Sequence, residues 1–244
     1  MSETVVPYGK ENGSKREQVE EMFDNISKRY DFLNHFLSLG IDVIWRNKSL
    51  KKINNPNPQQ ILDVATGTGD FAIAARNKFK GATVKGIDIS GGMLEVGREK
   101  LRKKNIDGIE LIKADSAEIP FEDNSFDVAI VAFGVRNFEN LGLGLREMQR
   151  VLRPGGEIVV LEFSKPKAFP FKQIYNFYFN NILPRFGKMV SKDSSAYTYL
   201  PESVKAFPEG NDFMKVLAES GFANCKSKPL TFGISSIYHG TKTS

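Results

Sequence analysis

The sequence predicts an α/β fold: a doubly wound, mostly parallel seven-stranded sheet with helices on both faces, an N-terminal helical extension and an aromatic-rich helical insertion. Three observations lead there. Ile61-Leu-Asp-Val64 is a short apolar run broken only by Asp63, and the turn Gly67-Thr68-Gly69 and a helical pattern from Phe71 to Arg76 follow it. Strand and helix patterns then alternate as far as Phe163. Phe126–Ala132 and Ile158–Phe163 are near-continuous apolar runs of the kind a parallel sheet buries on both faces. Repeated β-α-β units of this sort close with right-handed crossovers.

In chain order, residues 1–14 are polar, contain Gly9 and Gly13, and are expected to form a poorly ordered tail. Residues 15–54 read as the helical extension. Met22, Phe23 and Ile26, then Leu33, Phe36 and Leu37, then Ile41, Ile44 and Trp45 recur at helical spacing. Ser38-Leu39-Gly40 is a stop signal, Asp42 is a candidate cap for the next helix, and Asn54–Pro58 is turn-rich. The main domain, 55–244, continues with strands at Thr83–Asp88, Ile109–Lys113 and Phe126–Ala132, and helices at Met93–Arg102 and Leu143–Leu152. Arg153-Pro-Gly-Gly156 breaks the second helix, and the strand Ile158–Phe163 follows. Residues 164–209 interrupt the alternation with nine aromatics between Phe169 and Tyr199, a density above the chain's 11%, and read as a lid or binding insertion. A helix from Asn211 to Ser220 and a closing pair of strands, Phe222–Lys228 and Thr231–Tyr238, complete the pattern.

Composition excludes several functions. At 244 residues and 41% apolar content the chain supports one sizeable core. One cysteine, Cys225, and two histidines, His35 and His239, leave no disulfide framework and no metal cluster to expect, and they fit reducing, cytoplasmic surroundings. The start of the chain lacks the pattern of a secretory signal, and the longest apolar run, Val128–Val135, is far short of the roughly 20 residues that span a bilayer. A formal charge of +5 suits an anionic membrane surface or an anionic substrate, while the absence of a dense Lys/Arg run speaks against nucleic acid.

The glycine turn places backbone N–H groups at a helix N-terminus, close to any ligand seated there. Gly67-x-Gly69-x-x-Ala72 also fits the relaxed dinucleotide fingerprint. Asp63, Asp88 and Asp115 each fall at or near the C-terminal end of a strand, where open α/β sheets bind ligands. Asp88 lies 19 residues after Gly69, a spacing suited to a carboxylate that accepts both ribose hydroxyls. Asp115-Ser116 is placed to meet an adenine edge between Ile89 and Ile119. Three carboxylates would repel a diphosphate and attract a sulfonium, so the sign of the charge favours S-adenosyl-L-methionine over NAD.

Several blocks carry a family resemblance: Phe23-Asp-Asn-Ile-Ser-Lys-Arg-Tyr30-Asp31-Phe-Leu-Asn34, Leu37–Trp45, Leu62–Asp70, Phe133-Gly-Val-Arg136-Asn137, Val151–Gly156, Glu162-Phe-Ser-Lys-Pro166 and Leu183–Gly187. Across roughly residues 20–240 the chain resembles the Rossmann-like class I methyltransferases of menaquinone and ubiquinone biosynthesis, the demethylmenaquinone and 2-polyprenyl-6-methoxy-benzoquinol C-methyltransferases. The resemblance implies a prenylated quinol substrate and cofactor contacts at Thr68, Asp88, Asp115 and Ser116, beside Asp63, Gly67 and Gly69. Many relatives have a serine just before the Phe-Gly-x-Arg-Asn block. This chain has Ala132, so that contact is not carried over.

Methylating a ring carbon of a hydroquinone needs an electron-rich ring, and Arg136 is the candidate to favour the phenolate, with Asn137 a neutral donor beside it. Tyr30, Asp31 and Asn34 are candidates to complete the pocket, and Asp31 is a candidate base for the ring proton. Phe177, Tyr178, Phe179, Ile182 and Phe186 suit a prenyl groove, and Lys165, Lys167, Lys172, Arg185, Lys188 and Lys192 suit peripheral contact with an anionic bilayer. Contact between two copies in a homodimer is the ordinary alternative for that region. A nicotinamide-dependent oxidoreductase and a non-catalytic quinone-binding protein stay open as rival functions.

Overall fold

The computed structural model describes residues 5–9, 11–38, 40–178, 181 and 195–243; for residues 29, 31–37 and 197 it describes the backbone element but not the side chain. Helices α1 (Lys15–Ser38) and α2 (Ile41–Leu50) precede the sheet. Then follow β1 (Gln60–Val64), α3 (Asp70–Lys78), β2 (Thr83–Asp88), α4 (Gly91–Lys104), β3 (Ile109–Lys113) and β4 (Phe126–Ala132). After them come α5 (Leu141–Val151), β5 (Leu152–Phe163), α6 (Phe171–Phe177), α7 (Ser195–Ala206), α8 (Asn211–Glu219), β6 (Phe222–Leu230) and β7 (Ser235–Lys242).

The seven strands form one sheet in the order β3-β2-β1-β4-β5-β7-β6. The first five run parallel, and β7 inserts antiparallel between β5 and β6, as the mostly parallel seven-stranded sheet requires. Period-two side-chain alternation gives the sheet two cores. Val128, Ile130, Val159 and Leu161 face α2 and α3 through Trp45, Leu50, Phe71 and Ala75. Ala129, Val131, Ile158 and Val160 face α5 and α8 through Leu145, Met148, Phe213 and Leu217. The helices start where short polar side chains take up orphan amides. Ser90 Oγ accepts from the Met93 amide at 3.1 Å ahead of α4, and Asn140 Oδ1 accepts from the Leu143 amide at 2.9 Å ahead of α5.

Three local readings need correction. Asp42 does not cap α2: Gly40 precedes the helix at φ 75°, and the buried Asp42 carboxylate instead takes the Ser38 hydroxyl at 2.6 Å and the Arg46 guanidinium. The last strand starts at Ser235 rather than Thr231, because Thr231–Gly233 form a 3-10 turn in which Thr231 and Phe232 take φ of 44° and 58°, which no strand accommodates. β5 begins already at Leu152: Gly155 at φ 78° makes the chain skip residues between the pairs Phe126↔Leu152 and Val128↔Glu157. The Arg-Pro-Gly-Gly run therefore ends α5 but opens the strand irregularly. Of the proposed prenyl groove and its basic rim, Phe179, Ile182, Phe186, Arg185, Lys188 and Lys192 lie outside the described residues.

Midway along β5, where its regular pairing with β4 resumes, Glu157 ties the sheet to the chain entering β1. It accepts from the Asn54 and Asn55 amides at 2.9 and 2.8 Å and lies 2.6 Å from His239 Nε2. Burial raises the pKa of this carboxyl, but His239 and the two amides outweigh it and hold the value below the ordinary one. Its contribution to stability is therefore complete above the unfolded value near 4.3 and is lost as pH falls through the folded value. Glu157→Gln is expected to cost about 1–2 kcal/mol at pH 7, with the gap to the parent narrowing in urea titrations as pH falls below about 4.3.

Candidate active site

Strand order reverses between β1 and β4, and at their carboxyl ends a cleft opens beneath α1. It holds about 930 Å³ of non-atom space, its open mouth included. Two loops meet closely here. A Cβ on Gly134 would stand 2.6 Å from Ala65 Cβ, so glycine is needed for the loop after β4 to reach the loop after β1. Gly67 and Gly69 take φ of 57° and 82°, turning the chain sharply from β1 into α3 with Gly69 as the residue ahead of the helix.

The three aspartates part company. Asp88 lines the cleft, and its two oxygens accept from the Gly67 amide at 2.8 Å and the Ser90 amide at 2.9 Å, clamping the glycine turn to the start of α4. Burial pushes its pKa up to about 6, the two amides pulling the other way. Asp115 and Ser116 also line the cleft, but Arg16 Nε sits 2.6 Å from Asp115 Oδ2. Asp63 does not face the cleft: its side chain turns beneath the glycine turn, where it accepts from Thr66 Oγ1 at 2.6 Å. Burial raises it to about 7. Thr68 is likewise buried behind the turn, bonded to Lys100 Nζ at 3.0 Å, and Gly69 does not line the cleft. The anionic character read from three carboxylates thus narrows to Asp88 and Glu139, with Asp115 offset by Arg16.

Helix α1 supplies contacts that composition and spacing do not signal. Asp24 Oδ1 accepts from Ser90 Oγ at 2.5 Å and the Gly92 amide at 2.8 Å, fixing α1 to the start of α4. Lys15 Nζ donates to the carbonyls of Arg136 and Phe138 at 2.9 and 3.0 Å, and burial with the nearby Arg136 charge lowers its pKa to about 8. Arg16, Val19, Phe23 and Tyr30 close the cleft from above, Tyr30 edge-on to Phe23 at 5.8 Å. Asp31 and Asn34 follow on the same helix, with side chains outside the described set.

Arg136 and Asn137 stand in a 3-10 turn, Val135–Asn137, directly beyond β4. Asn137 lines the cleft and its buried Oδ1 has no hydrogen-bond partner among the described residues. Arg136 faces the other way. Its Nη1 donates to the Phe133 carbonyl and lies 3.0 Å from Glu162 Oε1, the guanidinium carbon is 5.4 Å from the Phe163 ring centroid, and both partners of the pair are buried. Tyr175 and Tyr199 are close enough for Arg136 and Glu162 to act on them electrostatically, though burial is the main cause of their raised pKa values. Arg136, Glu162, Phe163, Tyr175 and Tyr199 therefore form a buried polar-aromatic cluster on the far side of the 3-10 turn from the cleft.

A sulfonium nucleoside fits the cleft. Asp88 presents carboxylate at the end of β2, Asp115 and Ser116 lie beyond β3, Ile89, Met93, Phe138 and Leu143 give apolar walls, and a Cβ on Gly67 would press on Met93 Cε at 3.3 Å.

Comparison with known proteins agrees with this architecture. A model of the "ubiE/COQ5 methyltransferase family" matches residues 11–242. A demethylmenaquinone methyltransferase from Bacteroides fragilis is 49% identical over 241 residues, covering 98% of each chain. A ubiquinone/menaquinone biosynthesis C-methyltransferase from Geotalea daltonii is 48% identical over 231 residues, 93% of this chain and 97% of that one. Among solved structures, the [4+2]-cyclase SpnF superposes with a TM-score of 0.70 at 14% identity, covering 94% of this chain and 96% of that one. A Haemonchus contortus phosphoethanolamine N-methyltransferase does so with a TM-score of 0.65 at 15% identity, covering 96% of this chain and 61% of that one. Those two likenesses are of fold. Nearly full-length identity of one residue in two, on a cleft shaped for a sulfonium nucleoside, makes the chain an S-adenosylmethionine-dependent methyltransferase of the ubiE/COQ5 family.

Proposed function

We propose that the protein methylates a ring carbon of a prenylated hydroquinone, demethylmenaquinol first and the benzoquinol of the ubiquinone route second. The observation that carries this reading is the nearly full-length match to relatives named for those reactions. Asp88 is assigned to the ribose hydroxyls, and Asp115 with Ser116 to the adenine edge. The backbone of Gly67 shapes the floor, while Thr68, Gly69 and Asp63 hold the turn from behind. When bound, the cofactor supplies an electrophilic methyl on a cationic sulfur. The quinol head is assigned to the end of the cleft beside the 3-10 turn, with Asn137 and Tyr30 on the cleft side and Arg136 on the other. Arg136 favours the phenolate, and Asp31 is the candidate acceptor for the ring proton. Incubating the protein with each demethylated quinol and a methyl-labelled donor is expected to place the label on a ring carbon by mass spectrometry. Label on a phenolic oxygen, or on neither quinol, would overturn the assignment.

An exposed apolar face supports peripheral contact with a membrane, where such a substrate resides. Phe169, Phe232, Ile174 and Phe177 are 81%, 65%, 61% and 61% exposed. Phe171 stacks on Phe232 at 3.7 Å, joining α6 to the 3-10 turn before β7, and Trp45 Nε1 bonds Thr231 Oγ1 at 2.8 Å, bringing up α2 with its exposed Val43 and Ile44. Exposed Lys48, Lys167 and Lys172 belong to the same elements or their edges, the sign an anionic lipid surface attracts. No helix among the described residues is long and apolar enough to cross a membrane, so the contact would be superficial. The triple change Ile174→Ser, Phe177→Ser, Phe232→Ser is expected to weaken binding to phosphatidylglycerol vesicles by roughly tenfold or more. Unchanged flotation, with a dimer that dissociates in the variant, would assign this face to a second copy.

A further inference from the structure

Glu162 belongs to a motif that the proposed chemistry leaves without a role, yet it is among the most deeply buried carboxylates described. Its side chain is 0% exposed, and desolvation raises its pKa, with Arg136 and neighbouring amides opposing. Keeping a carboxyl there is costly unless its bonds are met. They are met chiefly by one residue. Oε1 lies 3.0 Å from Arg136 Nη1 and accepts the Phe163 amide at 2.8 Å, while Oε2 accepts the backbone amide of Arg136 at 3.4 Å. Both the main chain and the guanidinium of Arg136 are thus held by one side chain, itself rigidly placed within β5 between β4 and β7. The hold is selective. Nη1 is occupied by Glu162 and the Phe133 carbonyl, whereas buried Arg136 Nε has no hydrogen-bond partner among the described residues, and the Tyr199 hydroxyl, near enough to feel the Arg136 charge, has none either.

We propose that Glu162 is the positioning residue for Arg136, fixing the guanidinium so that its remaining donors meet the oxygen of the quinol. This rests on the assignment of Arg136 to that oxygen. A bare guanidinium on a flexible stem would sample several rotamers. Anchoring one end to a buried carboxylate orients the other at no further entropic cost when substrate arrives. Glu162 touches neither cofactor nor substrate in this arrangement.

The test is a cycle of Glu162→Gln, Arg136→Ala and the double variant, with kcat, quinol KM and S-adenosylhomocysteine affinity measured for each. Rates are normalised to the protein that binds S-adenosylhomocysteine, so that any loss of folding is removed from the comparison. Glu162→Gln is expected to lower kcat by about 10- to 100-fold, with quinol KM and cofactor affinity within about threefold of the parent. Glu162→Asp, which keeps the charge, is expected to recover part of that loss. The double variant is expected to match Arg136→Ala alone, because a residue that acts through Arg136 has nothing left to position. Equal losses from Glu162→Gln in the parent and in the Arg136→Ala background would overturn the positioning role and leave Arg136 in place. Full activity in Arg136→Ala would instead remove Arg136 itself, and this inference with it.

Discussion

Arg136→Ala is expected to lower kcat at pH 7 by about 100- to 1000-fold while leaving S-adenosylhomocysteine binding intact. A phenol with a pKa near 10 is ionised about one part in a thousand at pH 7, a cost of about 4 kcal/mol at 1.36 kcal/mol per unit. A buried guanidinium that favours the phenolate by two to three units would recover most of it. A guanidinium suits this role as a weakly hydrated, planar cation with several donors, and Arg136 lies against Phe163 among the buried tyrosines Tyr175 and Tyr199. The cleft assigned to the cofactor is lined by other residues, so the two effects separate. The variant carries a second signature: with the guanidinium gone, the rate should follow the free phenolate and climb about tenfold per unit between pH 7 and 9. A variant with a flat profile and parental kcat would show that the ring is activated by some other group.

Much of this arrangement is legible in the sequence, because its causes are local. The apolar runs at Phe126–Ala132 and Thr83–Asp88 fix the strands to the residue, and the glycine turn fixes where the cleft opens. Tyr30, Asp88, Asp115, Ser116 and Asn137, scattered over more than a hundred positions, do line one cleft. What escapes is direction. Asp63 pairs in register with Gly86, two residues short of Asp88, and accepts from Thr66 Oγ1 beneath the glycine turn, whereas Asp88 at the tip of β2 reaches the Gly67 amide. Arg136 and Asn137 are adjacent in sequence, but successive side chains in a 3-10 turn diverge by about 120°, so one cannot follow the other into the cleft. Arg16, Lys15 and Asp24 escape for a different reason. They sit on the polar side of an amphipathic helix, where charge pattern carries no periodic signal, and only the docking of α1 on α4 reveals their partners.

Asp88→Ala is expected to weaken S-adenosylhomocysteine binding by more than about 100-fold, since two hydrogen bonds to a charged acceptor at roughly 1.5–3 kcal/mol each would be lost together. The same assignment fixes a pH dependence. Asp88 titrates at about 6 in the free protein, mainly through burial. A ligand whose hydroxyls donate to the carboxylate binds the ionised form, so occupancy drives the proton off and affinity must rise with pH until Asp88 is fully ionised. S-adenosylhomocysteine affinity should therefore be level from pH 7 to 8 and fall about tenfold per unit below pH 6. Asp88→Asn, neutral at every pH, should bind weakly and without that slope. Asp63 provides the contrast: it titrates near 7 but lies beneath the turn, so a slope that persisted in Asp88→Asn would implicate Asp63 acting through Thr66 and the glycine turn. Using the neutral thioether rather than the sulfonium keeps the two electrostatic effects apart, because the slope then reports the ribose contact alone. Repeating the titration with S-adenosylmethionine should keep the same one-proton slope but carry it to lower pH, because the cationic sulfur favours the Asp88 carboxylate further and lowers its pKa in the complex.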